Sequence, residues 1–331
     1  MNSALKNHAT YINNKVDTNE ISLSQYISTD NILQNKQGIE CATSLPIQGG
    51  KVTSFKKGDI LLANIRPYLK KIWYAQFDGG CSADVLAIRA NTETDSHFLF
   101  YALFRDDFFI HAMKGAKGTK MPRGDKTQIM EFKIPVFDLK TQQSIAAVLS
   151  TLDKKIALNK QINARLEEMA KTLYDYWFVQ FDFPDANGKP YKSSGGEIVF
   201  DETLKREIPK GWGSIELQSC LAKIPNTTKI LNKDIKDFGK YPVVDQSQDF
   251  ICGFTNDEKS ILNPQDAHII FGDHTRIVKL VNFQYARGAD GTQVILSNNE
   301  RMPNYLFYQI INQIDLSSYG YARACPQFNL A

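Results

Sequence analysis

The sequence lacks the marks of a membrane-spanning, secreted or zinc-binding protein. None of its apolar runs approaches the ~20 residues that a transmembrane helix needs. The amino terminus has no basic segment followed by an apolar one, as a secretory signal would, so we expect a cytoplasmic protein. Its five cysteines are scattered and form no C-x-x-C pair, which argues against a disulfide framework and against a zinc site.

Motifs of catalysis are absent as well. The sequence contains no G-x-x-x-x-G-K-S/T phosphate loop, no G-x-G-x-x-G turn and no G-x-S-x-G nucleophile elbow. It also has no Asp-Pro-Pro-Tyr or Asn-Pro-Pro-Tyr tetrapeptide, which a chain that methylates base amino groups would carry. The five histidines show no metal-ligand spacing. We therefore predict a non-catalytic chain with no metal or cofactor of its own.

The net charge of +3 is small, so the distribution of charge matters more than its total. Positive residues concentrate in three short loops, at 66–71, 114–126 and 274–279, whereas acidic residues are spread along the chain. Lys and Arg clustered in loops are typical of surfaces that meet a phosphate backbone. These loops are the first candidates for a functional surface.

One segment predicts an unusually long helix. From Leu139 to Phe178 the chain has neither Pro nor Gly and is rich in helix formers, enough for a helix of ~60 Å. Two apolar seams run along this segment, and the last residue of the first seam, Ile156, and the first residue of the second, Ile162, are six positions apart rather than seven. A helix of this length exceeds what one core needs, so we expect it to bridge two domains and to pair with another helix. The predicted pairing residues are Leu149, Leu152, Ile156, Leu166 and Leu173.

Two parts of the chain repeat one pattern. KGDILLANIRPYLKKIWYAQFDGGCSAD from Lys57 and DAHIIFGDHTRIVKLVNFQYARGADGTQ from Asp266 each predict a strand, a basic tip and a second strand, and a predicted helix follows each. Lys71 matches Lys279 and Gly80 matches Gly288, while the tips differ. A duplicated scaffold with two specificities would show this pattern, because loops vary while the core must still pack.

Residues at the tips and loops predict contacts with nucleic acid. The candidates for base edges are Asn64 and Arg66 in the first half, and Asp273, His274 and Arg276 in the second. The candidates for phosphates are Lys70, Lys71 and Lys279, with Lys117, Lys120, Arg123 and Lys126 from a Gly-containing loop. The corresponding segment YGYARACPQFN adds aromatic faces and amides through Tyr321, Arg323 and Gln327. For any single lysine, a solvated surface loop remains the alternative.

The chain resembles a known family. IPVFDLKTQQSIAAVLSTLDKKIALNKQINARLEEMAKTLYDYWFVQFDF, residues 134–183, is similar to the central conserved region of the specificity subunit of type I restriction-modification systems. IPKGW at Ile208 and KYPVVDQSQDFICGFTND from Lys240 resemble the opening of a second target-recognition domain. YISTDNI at Tyr26 and the GDILLANIRPYLKK hairpin resemble the first, so the resemblance covers nearly the whole chain.

The resemblance implies an α+β fold in which two similar mixed α/β target-recognition domains are joined by a long coiled-coil-type helix. We assign residues 1–137 to the first domain, 138–180 to the spacer helix, 181–208 to a linker and 209–331 to a second, C-terminally incomplete domain. A family member would continue into a second conserved helix. We therefore expect a second copy or a separate fragment to supply the antiparallel partner of the long helix.

The resemblance also implies a function. Each domain would read one half of a bipartite site in double-stranded DNA, and the helix would set the spacing and dock two modification (methyltransferase) subunits. Those subunits would supply S-adenosylmethionine and adenine methylation, and restriction subunits would add ATP- and Mg²⁺-dependent translocation and cleavage. The alternative is a stand-alone sequence-specific DNA-binding protein without methyltransferase partners.

A third hypothesis is a nuclease. Asp125 followed by Glu131 and Lys133 would hold a magnesium ion beside a lysine, although Asp125 lies in a Gly-rich loop and Glu131 precedes an apolar strand-like segment. This hypothesis predicts magnesium-dependent cutting of DNA, measured on a plasmid, that Glu131→Ala abolishes.

Overall fold

The computed structural model describes residues 2–46, 49–118, 120–222, 227–289 and 291–314. The chain divides into two units, Met1–Asn163 and Ala164–Ala331. Among the described residues, no helix combines the length and the apolar character that crossing a membrane requires.

Among its described residues, the first unit contains three sheets and three short α-helices before the long helix begins. Its elements are β1 (Asn2–Ala4), β2 (Ala9–Tyr11), β3 (Lys15–Asp17), β4 (Tyr26–Ile27), β5 (Lys51–Phe55), β6 (Ile60–Ala63), β7 (Ile72–Tyr74), β8 (Gly79–Cys81), β9 (Val85–Ala90), α1 (Ser96–Leu103), α2 (Asp106–Lys114), α3 (Lys126–Met130) and β10 (Lys133–Pro135). The antiparallel sheet has the order β2-β9-β6-β7, and a mixed sheet has the order β3-β5-β8-β4, with β4 and β8 parallel. β1 pairs with β10.

The antiparallel sheet lies in the middle of three layers. Alternate side chains of β6 point to opposite faces, so Ile60 and Leu62 pack with the helical layer that contains Leu99 and Phe108. Leu61 packs on the other face, in the cluster that includes Phe55 of the mixed sheet. A strand covered on both faces has no position for a polar side chain, which explains the uninterrupted apolar sequence ILLA.

Among the described residues, the second unit contains the other nine strands and one short α-helix. After the long helix α4 (Leu139–Tyr174) and one π-helical turn (Asp175–Val179) come β11 (Ile198–Asp201), β12 (Arg206–Pro209), β13 (Tyr241–Val244), β14 (Gly253–Thr255), β15 (Ile261–Leu262), β16 (His268–Gly272), β17 (Val278–Val281), β18 (Tyr285–Arg287), β19 (Thr292–Ile295) and α5 (Asn304–Gln313). The antiparallel sheet has the order β17-β16-β19, and the mixed sheet has the order β14-β13-β18-β15.

The second unit repeats the layers of the first. Ile269 packs in the cluster with Phe307 of α5, whereas Ile270 packs on the opposite face with Val244 of the mixed sheet. The parallel pair recurs as well, as β4 beside β8 and as β13 beside β18. The repeat and the fold class, two mixed α/β units joined by a long helix, are therefore confirmed.

The recurring glycine of the repeat has a packing reason in both units. A Cβ atom on Gly80 would lie 2.6 Å from Cγ2 of Val52, and one on Gly288 would lie 2.6 Å from Cβ of Asp245. Neither position has room for a side chain, because β8 and β18 approach their neighbours closely there.

Helix α4 agrees with the predicted long helix and runs unbroken over 36 residues. Its buried residues are Gln142 and Ala146, near its first turns, where Gln142 accepts a hydrogen bond from the backbone N–H of Asp95 at 2.9 Å. The hydroxyl of Tyr101 donates to Asp153 at 2.7 Å. The apolar seam farther along the helix stays exposed to solvent within the described part of the chain.

The segment DSHFLFYALFRDDFFIHAMK, predicted as one helix, forms two. The backbone of Arg105 is extended, with φ −72° and ψ 148°, so α1 ends before it and α2 begins after it. Both helices bury aromatic residues, among them Phe98 in α1 and Phe109 in α2. The break lets each short helix place its own apolar face on the core, which one straight helix would not achieve for both.

The segment predicted as a linker, 181–208, carries ordered structure. β11 and β12 form an antiparallel hairpin within it. The ring of Phe183 stacks between those of Tyr191, at 4.8 Å, and Trp212, at 5.0 Å. This aromatic stack fixes the path of the chain beyond α4.

An ion pair between a buried carboxylate and a partly exposed arginine links the start of β6 to β9. The carboxylate of Asp59, whose side chain is 2% exposed, accepts hydrogen bonds from Nε and Nη2 of Arg89 at 2.6 and 2.7 Å and from the backbone N–H of Lys56 at 2.7 Å. Such a fork-to-fork pair is stronger than a single charge contact, because two parallel bonds fix its geometry.

We expect Arg89→Met to destabilise the first unit by about 3 kcal/mol, because it leaves the buried carboxylate of Asp59 without its cation. Hydrogen exchange of the β6 and β9 amides would measure the loss. Lys57→Met removes an exposed positive charge nearby and serves as the control. Equal exchange rates in the two variants would contradict this account. Adding Asp59→Asn to Arg89→Met should restore part of the protection.

Candidate nucleic-acid interface

The hairpin tip between β6 and β7 holds two residues in a left-handed backbone conformation. Arg66 has φ 51° and Lys70 has φ 52°, values that a side-chain-bearing residue adopts only at a cost of about 1–3 kcal/mol. Surrounding contacts keep this geometry: the backbone N–H of Arg66 donates to the carbonyl of Pro122 at 2.7 Å, and that of Lys70 donates to Pro67 at 2.9 Å. The tip therefore has one defined shape.

The basic loop 115–126 packs against this tip. Lys117 and Arg123 exchange two backbone hydrogen bonds of 2.9 Å, which close the loop on itself. The backbone N–H of Gly124 donates to the carbonyl of Asn64 at 3.0 Å, and a Cβ atom on Gly124 would lie 2.8 Å from Oδ1 of Asn64. A larger residue here would displace the side chain of Asn64. The structure thus joins two elements that the sequence presented separately, and we name them together the tip surface.

Buried polar atoms without a partner gather at the tip surface. Oδ1 of Asn64, Nε of Arg66 and Oγ of Ser82 are each buried and make no hydrogen bond with the residues that the structure describes. Buried polar groups in proteins are nearly always paired, so these atoms retain capacity to bind a ligand or water. Ser82, in the turn between β8 and β9, was not identified from the sequence, although the small residues of GGCSAD mark that turn.

The corresponding turn of the second unit, between β18 and β19, also has buried polar atoms that the described residues leave unpaired. Nε of Arg287, at the end of β18, and Oγ1 of Thr292, at the start of β19, are buried without a partner among the described residues. Neither residue was predicted. Both units therefore place unsatisfied polar groups at equivalent places in the fold.

The four exposed cations of the loop sit on or beside the tip surface. Lys117, Lys120, Arg123 and Lys126 are all exposed. Arg123 lies 3.0 Å from a carboxylate oxygen of Asp84, an exposed pair that adds little stability. A cationic side chain held this weakly can exchange its partner for a phosphate.

Lys70 belongs to a small charged cluster. Its ammonium lies 3.1 Å from Asp106, and Lys36 lies 2.5 Å from the same carboxylate. Hydrogen bonds from Lys36 and Lys70 lower the pKa of Asp106. A contact of Lys70 with phosphate stays a prediction, and it would compete with this ion pair.

A lysine in each unit ties the hairpin to the loop that follows the parallel strand. Nζ of Lys71 donates to the carbonyl of Thr29 at 2.5 Å, and Nζ of Lys279 donates to the carbonyls of Asp245 at 2.7 Å and Asp249 at 2.6 Å. Lys279 is only 4% exposed, and burial lowers the pKa of its ammonium. We call this arrangement the lysine clamp.

The clamp corrects one predicted role. Lys279 was expected to contact phosphate, but its charge is inside the unit and protein carbonyls accept its hydrogen bonds. A buried ammonium is retained only where such acceptors replace water. Lys71 is partly exposed, so its contact with phosphate stays a prediction.

The tip of the second unit is built differently. Arg276 has φ 59°, again a left-handed conformation. The backbone N–H of His274 donates to Oε1 of Gln246 at 3.2 Å, and the hydroxyl of Thr275 donates to the carbonyl of Gln246 at 2.8 Å. Nε2 of Gln293 donates to Asp273 at 2.9 Å. This tip therefore presents amides, a carboxylate and an imidazole where the first presents mainly cations.

The sequence did not identify Gln246 as part of this tip, because nothing in it links the loop after β13 to the tip. Tyr321, Arg323 and Gln327 lie outside the described residues.

The carboxylates of the nuclease hypothesis have structural roles. Asp125 accepts hydrogen bonds from the backbone N–H groups of Thr127 and Gln128 and so caps α3, which lowers the pKa of its carboxyl. Glu131 pairs with Lys6 at 2.7 Å. No cluster of three or more potential metal ligands occurs among the described residues. Both carboxylates thus serve the structure of the first unit.

Comparison with known proteins identifies the family. Residues 4–168 match the family model of the type I restriction modification DNA specificity domain. The chain belongs to this family. It is 32% identical over 182 residues to the type I restriction enzyme HindI specificity subunit of Haemophilus influenzae, a match that covers 52% of this chain and 39% of the relative. It is 34% identical over 118 residues to the MjaIX specificity subunit of Methanocaldococcus jannaschii, covering 35% of this chain and 25% of the relative.

The chain thus spans well under half the length of these curated relatives. A solved structure, the S subunit of a type I restriction-modification system from M. genitalium, is 16% identical, with a TM-score of 0.49; the match covers 94% of this chain and 76% of that one. The family match confirms the family that the sequence resembles, and it includes residues 134–168 of the segment that carries the resemblance.

The lysine clamp yields a stability prediction. Lys279→Met would leave two carbonyls without donors, so we expect a loss of about 2–3 kcal/mol in the second unit. Hydrogen exchange along β13 and β18 would measure it. Lys240→Met removes an exposed lysine that pairs with Glu258 on the surface, and it should change stability by less than about 0.5 kcal/mol. If the two variants behave alike, the ammonium of Lys279 does not hold the loop.

Proposed function

We propose that the chain is the DNA-recognition subunit of a type I restriction-modification complex. Each unit would read one half of a bipartite site in double-stranded DNA, and α4 would set the spacing between the halves. The observation that carries this proposal is the duplicated three-layer unit with two chemically different tips at equivalent positions. One scaffold used twice with different tips is suited to reading two different short sequences.

The tip surface of the first unit supports readout of DNA. Lys117, Lys120 and Lys126 are exposed and lie on the loop that packs against the tip, where they would contact phosphates and fix the position of the unit on DNA. Asn64 and Arg66 carry unpaired buried atoms, and their side chains are the types that bond adenine and guanine edges in the major groove. Positioning charges and base-reading groups thus occur on one surface.

The second unit would read a different half-site. His274 is exposed, and the Gln246 loop beneath it is held by Lys279. Amides and imidazole offer both donors and acceptors, whereas lysine offers donors alone. We therefore expect the second half-site to depend more on hydrogen-bond pattern than on charge.

The chemistry of restriction and modification would reside on partner subunits. We propose two modification subunits that dock on α4 and supply S-adenosylmethionine and adenine methylation, and restriction subunits that use ATP and Mg²⁺. The chain itself would be non-catalytic and would work in the cytoplasm. The exposed seam of α4 supports docking, because apolar surface of that extent is typical of an interaction site.

The competing candidate is a stand-alone DNA-binding protein. It predicts sequence-specific, salt-sensitive binding by the chain alone, unchanged by a modification subunit. The subunit proposal predicts that affinity rises once that subunit is bound. Titrating labelled DNA with the chain, with and without a modification subunit, separates the two.

Variants at the two tips should each affect one half of the recognised site. In cells that express a compatible modification subunit, we expect Arg66→Ala to relax one half of the methylated motif and Arg276→Ala the other. Losing a good base contact costs about 1–3 kcal/mol, or roughly 5- to 150-fold in discrimination. Sequencing that detects methylated adenine reports both halves at once.

Lys57→Ala is the matched control, because Lys57 is an exposed cation before β6, whereas Arg66 follows that strand. It should leave the motif unchanged. If either tip variant altered both halves equally, or if the wild-type motif were undivided, the assignment of one unit to one half-site would be wrong.

A further inference from the structure

The interior of the second unit becomes polar where it approaches the tip. Its two sheets enclose an apolar layer that includes Tyr285 and Val294. Side chains two positions apart on a strand lie on the same face, so Arg287 shares the face of Tyr285 on β18, and Thr292 shares the face of Val294 on β19. Thr292 pairs with Gly272, where β16 ends. An arginine and a threonine therefore extend the layer at its tip end.

These two residues are buried without hydrogen-bond partners for their inner polar atoms. Arg287 is 8% exposed and Thr292 is 0% exposed. Nε of Arg287 and Oγ1 of Thr292 make no hydrogen bond among the described residues. The ion pairs found in the described part of the chain do not include Arg287. A buried charge that loses water without gaining an acceptor is costly, so Arg287 reduces the stability of its own unit.

The first unit shows that the scaffold does not require polar residues at these two positions. Cys81 is paired in the parallel strands of the first unit as Arg287 is in those of the second. Val85 is paired at the end of β6 as Thr292 is paired at the end of β16. Both Cys81 and Val85 belong to the apolar cluster between the sheets of the first unit. Packing alone therefore does not explain an arginine and a threonine in the second unit.

We propose that Arg287 and Thr292 form a recess that binds the edge of a guanine in the second half-site. A guanidinium binds two acceptors at once, as Nε and Nη2 of Arg89 do with the carboxylate of Asp59 in the first unit. In the major groove of DNA, O6 and N7 of guanine form such a pair of acceptors. This inference rests on the proposed function, because it requires the tip of the second unit to meet DNA.

A guanine explains the recess better than a phosphate does. A phosphate can be held by an exposed cation without any loss of stability, and Lys117 and Lys120 of the first unit are exposed in this way. Reading two acceptors of one base needs the fixed fork of a guanidinium. The hydroxyl of Thr292 adds a group that can donate or accept beside that fork.

The turn that begins after Arg287 contacts the tip residues of the second unit. The backbone N–H of Asp273 donates to the carbonyl of Gly291 at 2.8 Å. A Cβ atom on Gly291 would lie 2.8 Å from Nε2 of Gln246 and 2.9 Å from Cδ2 of His274. DNA that contacts these residues would therefore also meet the turn. Because Nε of Arg287 has no hydrogen bond to break among the described residues, its side chain can turn toward DNA at little cost.

Hydrogen exchange of the full chain tests the recess without DNA. We expect Arg287→Met to raise the protection of the β18 and β19 amides roughly 5- to 30-fold, because an unpaired buried charge is removed. Thr292→Val should raise it as well. Arg301→Met removes an exposed arginine of the same unit and should leave protection unchanged. Lower protection in Arg287→Met would show that the guanidinium supports the fold, and it would overturn the proposal.

The methylated motif tests the ligand. In cells that express a compatible modification subunit, we expect Arg287→Met to relax one G·C position in the second half of the motif, with a loss of discrimination of roughly 5- to 150-fold. The half that depends on Arg66 should stay intact, and Arg301→Met should change neither half. A divided wild-type motif that Arg287→Met leaves unchanged would refute this inference alone. A wild-type chain that directs no divided motif would refute the proposed function instead.

Binding of the purified chain to DNA of the identified motif separates a base contact from a phosphate contact. We expect Arg287→Met to weaken binding to the motif while binding to unrelated DNA, and the dependence of affinity on salt, stay as in the wild type. A phosphate contact would give the opposite result, namely equal weakening on all sequences and a salt slope smaller by about 1. That result would overturn the assignment to guanine.

Discussion

Burial of the central antiparallel sheet on both faces is the constraint on which the rest of each unit depends. β6 and β16 are covered by helices on one side and by a mixed sheet on the other, so their inner positions are apolar: ILLA makes up β6, and IIF lies between the terminal His268 and Gly272 of β16. A polar side chain at an inner position of such a strand would lose its hydrogen bonds with water, which costs free energy. Polar chemistry is confined to the ends, where the chain turns, and the hairpin tips are therefore the positions at which two copies of one scaffold can differ without losing their cores.

The same constraint explains the contrasting uses of charge. Lys279 occupies a buried position and holds two carbonyls, while Lys117 and Lys120 stay exposed on a loop. The ammonium of Lys279 stabilises the loop that supports a tip, whereas the ammonium groups of Lys117 and Lys120 face solvent. Arg66 and Arg276 share a left-handed backbone at their tips, which shows that the strained geometry belongs to the scaffold and the side-chain chemistry around it to each unit.

In contrast to the central strands, helix α4 is exposed along most of its length. Its first turns are anchored through Gln142 and Ala146, but its apolar seam has no surface to rest on within the described part of the chain. A row of half-exposed leucines and isoleucines is costly in water, at about 25 cal/mol for each Å².

The sequence by itself determined the long helix, the strands of both hairpins, the duplication and the exposed cations of the loop, because periodicity, composition and spacing are local properties. Only the tertiary structure decided that loop 115–126 packs on the Asn64 tip, that α1 and α2 are separate, that Gln246 and Ser82 belong to the tips, and that Lys279 is buried. Each of these depends on contacts between segments far apart in the chain. Burial of Lys279, in particular, rests on carbonyls of residues 30 and 34 positions away, which no local pattern records.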